Sequence, residues 1–124
     1  MTTRVLLAAL CVLSSIASAS AAPQCSVPYI RLLGNQAVPG TMYASSGRPC
    51  SVVLLHSSGP IVTTEIVQKA NNGSVVLSGN RLTYTSRPGF VGDDRFTYAR
   101  HGQSGANQPM VWTVDMTVHV ATHQ

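Results

Sequence analysis

Between Met110 and Val120 the side chains alternate in character. Trp112, Val114, Met116, Val118 and Val120 share one face, and Thr113, Asp115, Thr117 and His119 share the other. A period of two is what a strand shows when one side meets a core and the other meets water. The same reading places Phe96 and Tyr98 against Arg95 and Thr97 over Asp94–Arg100, and Leu82 and Tyr84 against Thr83 and Thr85. Ser51–Leu55 is short, continuous and β-branched at its start, which predicts a strand buried on both faces. Met42–Ser45 and Ile30–Leu33 are weaker strands, bringing the expected total to about eight.

Turn residues punctuate these runs: Gly34-Asn35, Pro39-Gly40, Ser46-Gly47, Ser58-Gly59-Pro60, Asn72-Gly73, Gly79-Asn80, Pro88-Gly89, Gly92, Gly102 and Gly105. Their spacing of roughly ten residues is that of a β-sandwich or barrel. Asn72-Gly73 suits a type I′ turn joining Ile66–Lys69 to Val75–Leu77, and Gly79-Asn80 joins Val75–Leu77 to Arg81–Thr85. Downstream of the first twenty or so residues, no segment sustains a helical period without meeting Gly or Pro. The expected fold class is all-β, an antiparallel sandwich of about seven or eight strands.

The start of the chain follows a different rule. Arg4 precedes the apolar stretch Val5–Leu13, and residues 14–22 turn small, with Ala19-Ser20-Ala21 as an A-x-A site. This is the build of a secretory signal peptide, with cleavage expected after Ala21 and Ala19 or Ala22 as alternatives. A membrane span needs about 20 apolar residues, and this core dissolves into Ser and Ala well short of that. Cys25 lies too far from the cleavage site for a lipid anchor. The expected organisation is a signal over residues 1–21 and one domain over 22–124, exported to the periplasm, the cell surface or the medium, with no transmembrane segment after cleavage.

Removing the signal removes Arg4 and Cys11. Eight basic and four acidic residues become seven and four, a net charge of +3. Arg31, Arg48, Lys69, Arg81, Arg87, Arg95 and Arg100 never cluster, so the charge predicts no nucleic-acid patch and no polybasic anchor. Cys25 and Cys50 remain, and an oxidising compartment makes one disulfide the expected pairing. The alternative is two free thiols or half of a metal site, which a pair without a CxxC partner disfavours.

Ile66–Tyr98 reads IVQKANNGSVVLSGNRLTYTSRPGFVGDDRFTY. It resembles the bacterial Ig-like, cadherin-like repeat of secreted adhesins and of short stand-alone exported proteins. That pattern runs strand, Asn-Gly turn, strand, second turn and strand, then Pro-x-Phe-x-Gly-x-Asp-x-Phe-x-Tyr, met here by Pro88, Gly89, Phe90, Gly92, Asp94, Phe96 and Tyr98. The departures are Lys69 and Ser86-Arg87, which stand where the pattern often has Pro. The resemblance implies structural roles: Pro88-Gly89 sets a turn, Phe90 plugs the core, Gly92 adopts a conformation closed to residues with a Cβ, and Asp94 accepts hydrogen bonds from loop amides at a corner. The spacing to Tyr98 is similar to the tyrosine corner of immunoglobulin sandwiches. Arg100 stands where the second cysteine of an antibody-type inter-sheet disulfide would be.

Candidate chemistry is sparse. Asp93-Asp94 offers two adjoining carboxylates, but calcium takes six to eight oxygens, so a structural corner is the preferred reading. His56, His101, His119 and His123 are scattered; His119 and His123 are four apart, yet on a strand and terminus that spacing converges on nothing. Ser57 and Ser58 near His56 lack a nucleophile elbow, and Glu65 is the only glutamate. The expectation is a non-enzymatic domain with no cofactor and no metal. It would act as a binding or adhesion module towards a protein or glycan, with His56–Pro60 and His101–Pro109 as contact loops. The alternative is a structural or accessory component of an envelope assembly, the domain being a monomer or a weak homo-oligomer.

Overall fold

The computed structural model describes residues 25–54 and 61–122. The expected signal peptide therefore lies outside the described residues. Eight strands follow in order: β1 (Cys25–Ser26), β2 (Gln36–Ser45), β3 (Cys50–Val53), β4 (Ile61–Gln68), β5 (Gly73–Ser78), β6 (Arg81–Ser86), β7 (Gly92–Gln103) and β8 (Pro109–Ala121). They form a five-stranded sheet in the order β1-β2-β8-β7-β4 and a three-stranded sheet in the order β3-β6-β5. No described residue is helical. The molecule is an all-β sandwich.

The period-two stretches become its inner faces. In β8, Trp112, Val114, Met116, Val118 and Val120 are all buried, and the intervening residues are only partly covered. Leu82 and Tyr84 in β6, and Phe96 and Tyr98 in β7, are buried in the same way. Tyr84, Phe96, Met42, Leu82 and Met116 are the bulkiest fully enclosed side chains. Tyr84 stacks on Phe96 across the two sheets at 6.0 Å between ring centroids.

Four expectations are corrected. Pro39-Gly40 is no turn, because it sits inside β2, whose ten residues pair with Trp112–Ala121 of β8. That ladder is parallel, the exception in an otherwise antiparallel sandwich. β1 covers β2 only at Tyr43 and Ala44, so the strand is an edge at Pro39, where a residue without N–H costs no ladder bond. Ile30–Leu33 is no strand; Ile30 and Leu32 pack against the core from a segment that joins no ladder.

The other two concern the sheet edges. β3 is not buried on both faces: Cys50 is enclosed, but Ser51 and Val53 are exposed, because β3 is an edge with one face outward. Asn72-Gly73 joins no hairpin. β4 pairs with β7 and β5 with β6, so this dipeptide carries the chain from one sheet to the other. Gly73 is needed there for closeness, since a Cβ would collide with the carbonyl oxygen of Thr85. The Gly79-Asn80 hairpin does form, with Ser78 and Arg81 as its last pair.

Cys25 and Cys50 form a disulfide, with Cα atoms 5.3 Å apart. Cys25 lies in β1 and Cys50 in β3, so the bridge joins the two sheets. It closes a sequence separation of 25, a loop that the chain-entropy account values at roughly 3 kcal/mol. Reduction should lower the thermal midpoint by several degrees, measured by calorimetry with and without a thiol reductant. Thiol titration of the unreduced, unfolded protein should find neither of these two sulfurs.

Candidate functional site

The register of the strands divides the sandwich into two poles. One holds the disulfide, Gly92, and the crossing from β4 to β5. The other holds the Gly79-Asn80 turn, the β7–β8 hairpin tip and the ends of β3 and β4 that flank residues 55–60.

The first pole is built around Asp94. Its side chain points inward from β7 and is 2 % exposed. Oδ1 accepts hydrogen bonds from the backbone N–H of Asn71 at 2.9 Å and of Arg95 at 2.9 Å. Oδ2 accepts from Asn72 N–H at 3.0 Å and from the Tyr84 hydroxyl at 2.8 Å. Burial alone would raise the carboxyl pKa; the bonds from Tyr84, Arg95, Asn72 and Asn71 outweigh it and hold the group below its ordinary value. Tyr84 shifts far upward through its burial, then through its bond to Asp94 and that carboxylate's charge. The hydroxyl that ties this corner is thus Tyr84's, on the opposite sheet, whereas the sequence directs attention to Tyr98.

The remaining motif residues frame that carboxylate. Pro88 and Gly89 occupy the centre of a turn closed by Phe90 N–H donating to the Arg87 carbonyl at 3.2 Å, with Gly89 at φ +83. Phe90 packs against the core, and the Arg87 guanidinium lies over its ring at 5.6 Å. Gly92 has φ +138, a conformation that side chains with a Cβ rarely adopt, and its Cα faces the Phe90 ring. Phe96 and Tyr98 follow Asp94 on the inner face; burial pushes the Tyr98 hydroxyl up to about 12, with the Arg100 charge opposing it.

Asp93 and Asp94 do not share a ligand. Asp93 lies on the outer face and meets His119 Nδ1 at 2.7 Å, while His119 stacks on Tyr43 with centroids 5.3 Å apart. The Asp94 oxygens are taken up by hydrogen bonds from three backbone N–H groups and the Tyr84 hydroxyl. Among the described residues, no three His, Cys, Asp or Glu side chains converge as a metal site. His101 Nε2 meets Glu65 Oε1 at 2.8 Å, an exposed contact that the sequence does not announce. His56 and His123 lie outside the described residues.

At the second pole, the expected loop His101–Pro109 is mostly strand. Gln103 pairs with Pro109, leaving Ser104–Gln108 as the turn. Ser104 Oγ accepts from Ala106 N–H and Gln108 N–H, both at 3.3 Å, and Asn107 takes φ 62. The expected loop His56–Pro60 lies outside the described residues. Deeper at this pole, Arg100 continues the inward row of β7 and is 7 % exposed. Its Nε donates to Thr64 Oγ1 at 3.4 Å. Burial lowers the pKa of the guanidinium, and nearby Tyr98 partly offsets that. Arg100 lines an open cavity of about 420 Å³ together with Thr63, Thr64, Leu77 and Asn80.

Residues 35–115 match the sequence profile of the family described as Bacterial Ig domain. The chain belongs to the bacterial Ig domain family. The matched region runs from just before β2 into β8 and takes in both the Asp94 corner and Arg100. Cys25 and β1 fall outside it, so the disulfide adds to the matched region a link that begins beyond it. No curated protein matches the chain. Bacterial Ig domains are typically non-catalytic modules.

Tyr84→Phe should cost about 1–3 kcal/mol by leaving Asp94 short of one buried donor, and Asp94→Ala should cost more by orphaning several. Denaturant titration of each variant measures this. Because the folded pKa of Asp94 is depressed, its stabilisation is complete above the unfolded value near 3.8 and is lost as pH falls through the folded value. Stability measured from pH 6 downward should therefore drop below about pH 4, and the drop should shrink in Asp94→Asn.

Proposed function

We propose that this bacterial Ig domain is an exported, non-enzymatic binding or adhesion module of the cell envelope, contacting a protein or glycan. The observation that supports this most is the asymmetry of its poles. One is tied by a disulfide and a four-donor carboxylate. The other presents the β7–β8 hairpin tip, and a cavity with a buried arginine lined by the β5–β6 turn. A rigid frame with turns gathered at one end is how sandwich scaffolds carry recognition. The leader read in residues 1–21 supplies the address.

Two measurements test it. Expression of residues 1–124 in a bacterium, followed by fractionation and intact-mass analysis, should yield an extracytoplasmic product cleaved after Ala21. Full-length protein retained in the cytoplasm would overturn the export half. For binding, the purified domain should associate with envelope material and lose that association when the hairpin tip Ser104–Gln108 is replaced by a minimal Asn-Gly turn. Equal retention by the wild type and the tip variant would refute the assignment of this pole.

A self-assembling, accessory role is the second reading, favoured by the sheet edges. β4 and β5 are edges of different sheets, with Val67 57 % and Val76 58 % exposed. Edge strands of this kind are templates for pairing with another copy. Light scattering across a concentration series decides it: a dimer dissociated by Val76→Lys supports assembly, and a monomer throughout removes it.

A further inference from the structure

A sandwich interior is an expensive place for a guanidinium. Arg100 stands on the inner face of β7, in register with Thr64 of β4 on one side and Trp112 of β8 on the other. Asp94, Phe96 and Tyr98 precede it on that face, and all are buried. A charge so enclosed is ordinarily paired with an acid or saturated with acceptors. Among the described residues, Arg100 has one side-chain hydrogen bond, the 3.4 Å contact from Nε to Thr64. Glu65 is turned outward to His101, Asp93 to His119, and Asp115 accepts from Thr97. Asp94 sits at the other pole, engaged by four donors. The described fold therefore supplies Arg100 with no carboxylate of its own.

It supplies a space instead. The cavity of about 420 Å³ opens between the two sheets, with Arg100, Thr63 and Thr64 from the larger and Leu77, Gly79 and Asn80 from the smaller. That volume lies within the range of about 300–1,000 Å³ found for small-ligand sites. Its lining mixes the Thr64 hydroxyl, an amide-bearing residue and the apolar Ile61 and Leu77 around a single cation. We propose that this cavity is a binding site for a carboxylate-bearing small ligand or ligand terminus, with Arg100 as the residue that receives the carboxylate. The planar fork of a guanidinium matches a carboxylate with two parallel hydrogen bonds. One buried cation among neutral groups balances a singly charged anion, whereas a phosphate dianion would leave a charge over. Thr64, in register with Arg100 on the inward face, and Asn80 in the turn are placed for the hydroxyl or amide groups of an acidic sugar or a peptide end. The site deepens the binding-module reading by naming the ligand chemistry, and it rests on that reading only for its biological use.

Trp112 is the only tryptophan and lies in register beside Arg100, so its fluorescence reports on the cavity. The disulfide-intact protein would be titrated with glucuronate, standing for acidic sugars, and with N-acetylglycine, standing for peptide carboxyls. Methyl glucoside, N-acetylglycinamide and inorganic phosphate are the controls. A saturable change in Trp112 emission and in the Arg100 Nε–H resonance is expected with at least one carboxylate, in the millimolar range suited to a fragment, and not with the controls. Arg100→Gln should weaken it about tenfold or more, the scale of a charge-assisted hydrogen bond. Thr64→Val should weaken it less, with the fold intact by circular dichroism. If Arg100→Gln does not fold, the wild-type Arg100 resonance and the Thr64→Val titration still decide. No saturable response to either carboxylate, an equal response to phosphate, or an unchanged response in a folded Arg100→Gln would overturn the proposal. Envelope association that persists despite such a result would leave the binding-module reading standing, so the two failures are distinguishable.

Discussion

One carboxylate holds the two sheets in their relation. Asp94 projects from β7 of the larger sheet and receives the Tyr84 hydroxyl from β6 of the smaller one. It also receives two amides, Asn71 and Asn72, from the crossing between the sheets. A crossing segment is where a sandwich is most exposed to loss, because its N–H groups have left one ladder and not yet entered the next. Asp94 answers that need with charged acceptors in a buried setting, where such bonds are strongest. Gly73 lets the crossing press against Thr85, and the Pro88-Gly89 turn and Gly92 deliver β7 at the right height. Corner, core and strand order are therefore one arrangement seen at three scales.

The strands were legible because burial on one face leaves a period of two, clearest in β6, β7 and β8. The motif residues Pro88 to Tyr98 were legible through family resemblance, and the residues 35–115 that match the bacterial Ig domain family contain them. What failed did so for physical reasons. Pro39-Gly40 has the composition of a turn, yet a proline is harmless where one side of a strand is unpaired. Asn72-Gly73 reads as a hairpin because the dipeptide cannot say which sheet the next strand will enter. Its destination depends on β6 and β7, which begin eight and nineteen residues after Gly73.

The partnerships of the two inward polar residues were harder still. Tyr84 alternates correctly into the core as an aromatic, and nothing local tells that its hydroxyl will find Asp94 ten residues away. In the sequence Arg100 is one of seven scattered basic residues, the end of a strand and the occupant of a cysteine's place, and none of these announces a buried guanidinium. Its burial follows from the inward row that begins at Asp94, and its poverty of partners follows from where Glu65, Asp93 and Asp115 turn. Neither is visible until the sheets have been laid face to face.

The parallel pairing of β2 with β8 also governs the order in which the molecule can be made. β8 lies at the centre of the larger sheet, between β2 and β7, yet it is the last of the described strands in sequence order. Until it arrives, β2 has only the two residues of β1 beside it and β7 has only β4. A chain delivered from its N-terminus therefore cannot complete this sheet until β8 has emerged. Closing contacts between residues some seventy-six apart, as Gln36 and Trp112 are, makes the last step slow by the usual relation of rate to topology. Whatever the order of the other pairings, the larger sheet stays in two pieces until β8 is laid between them.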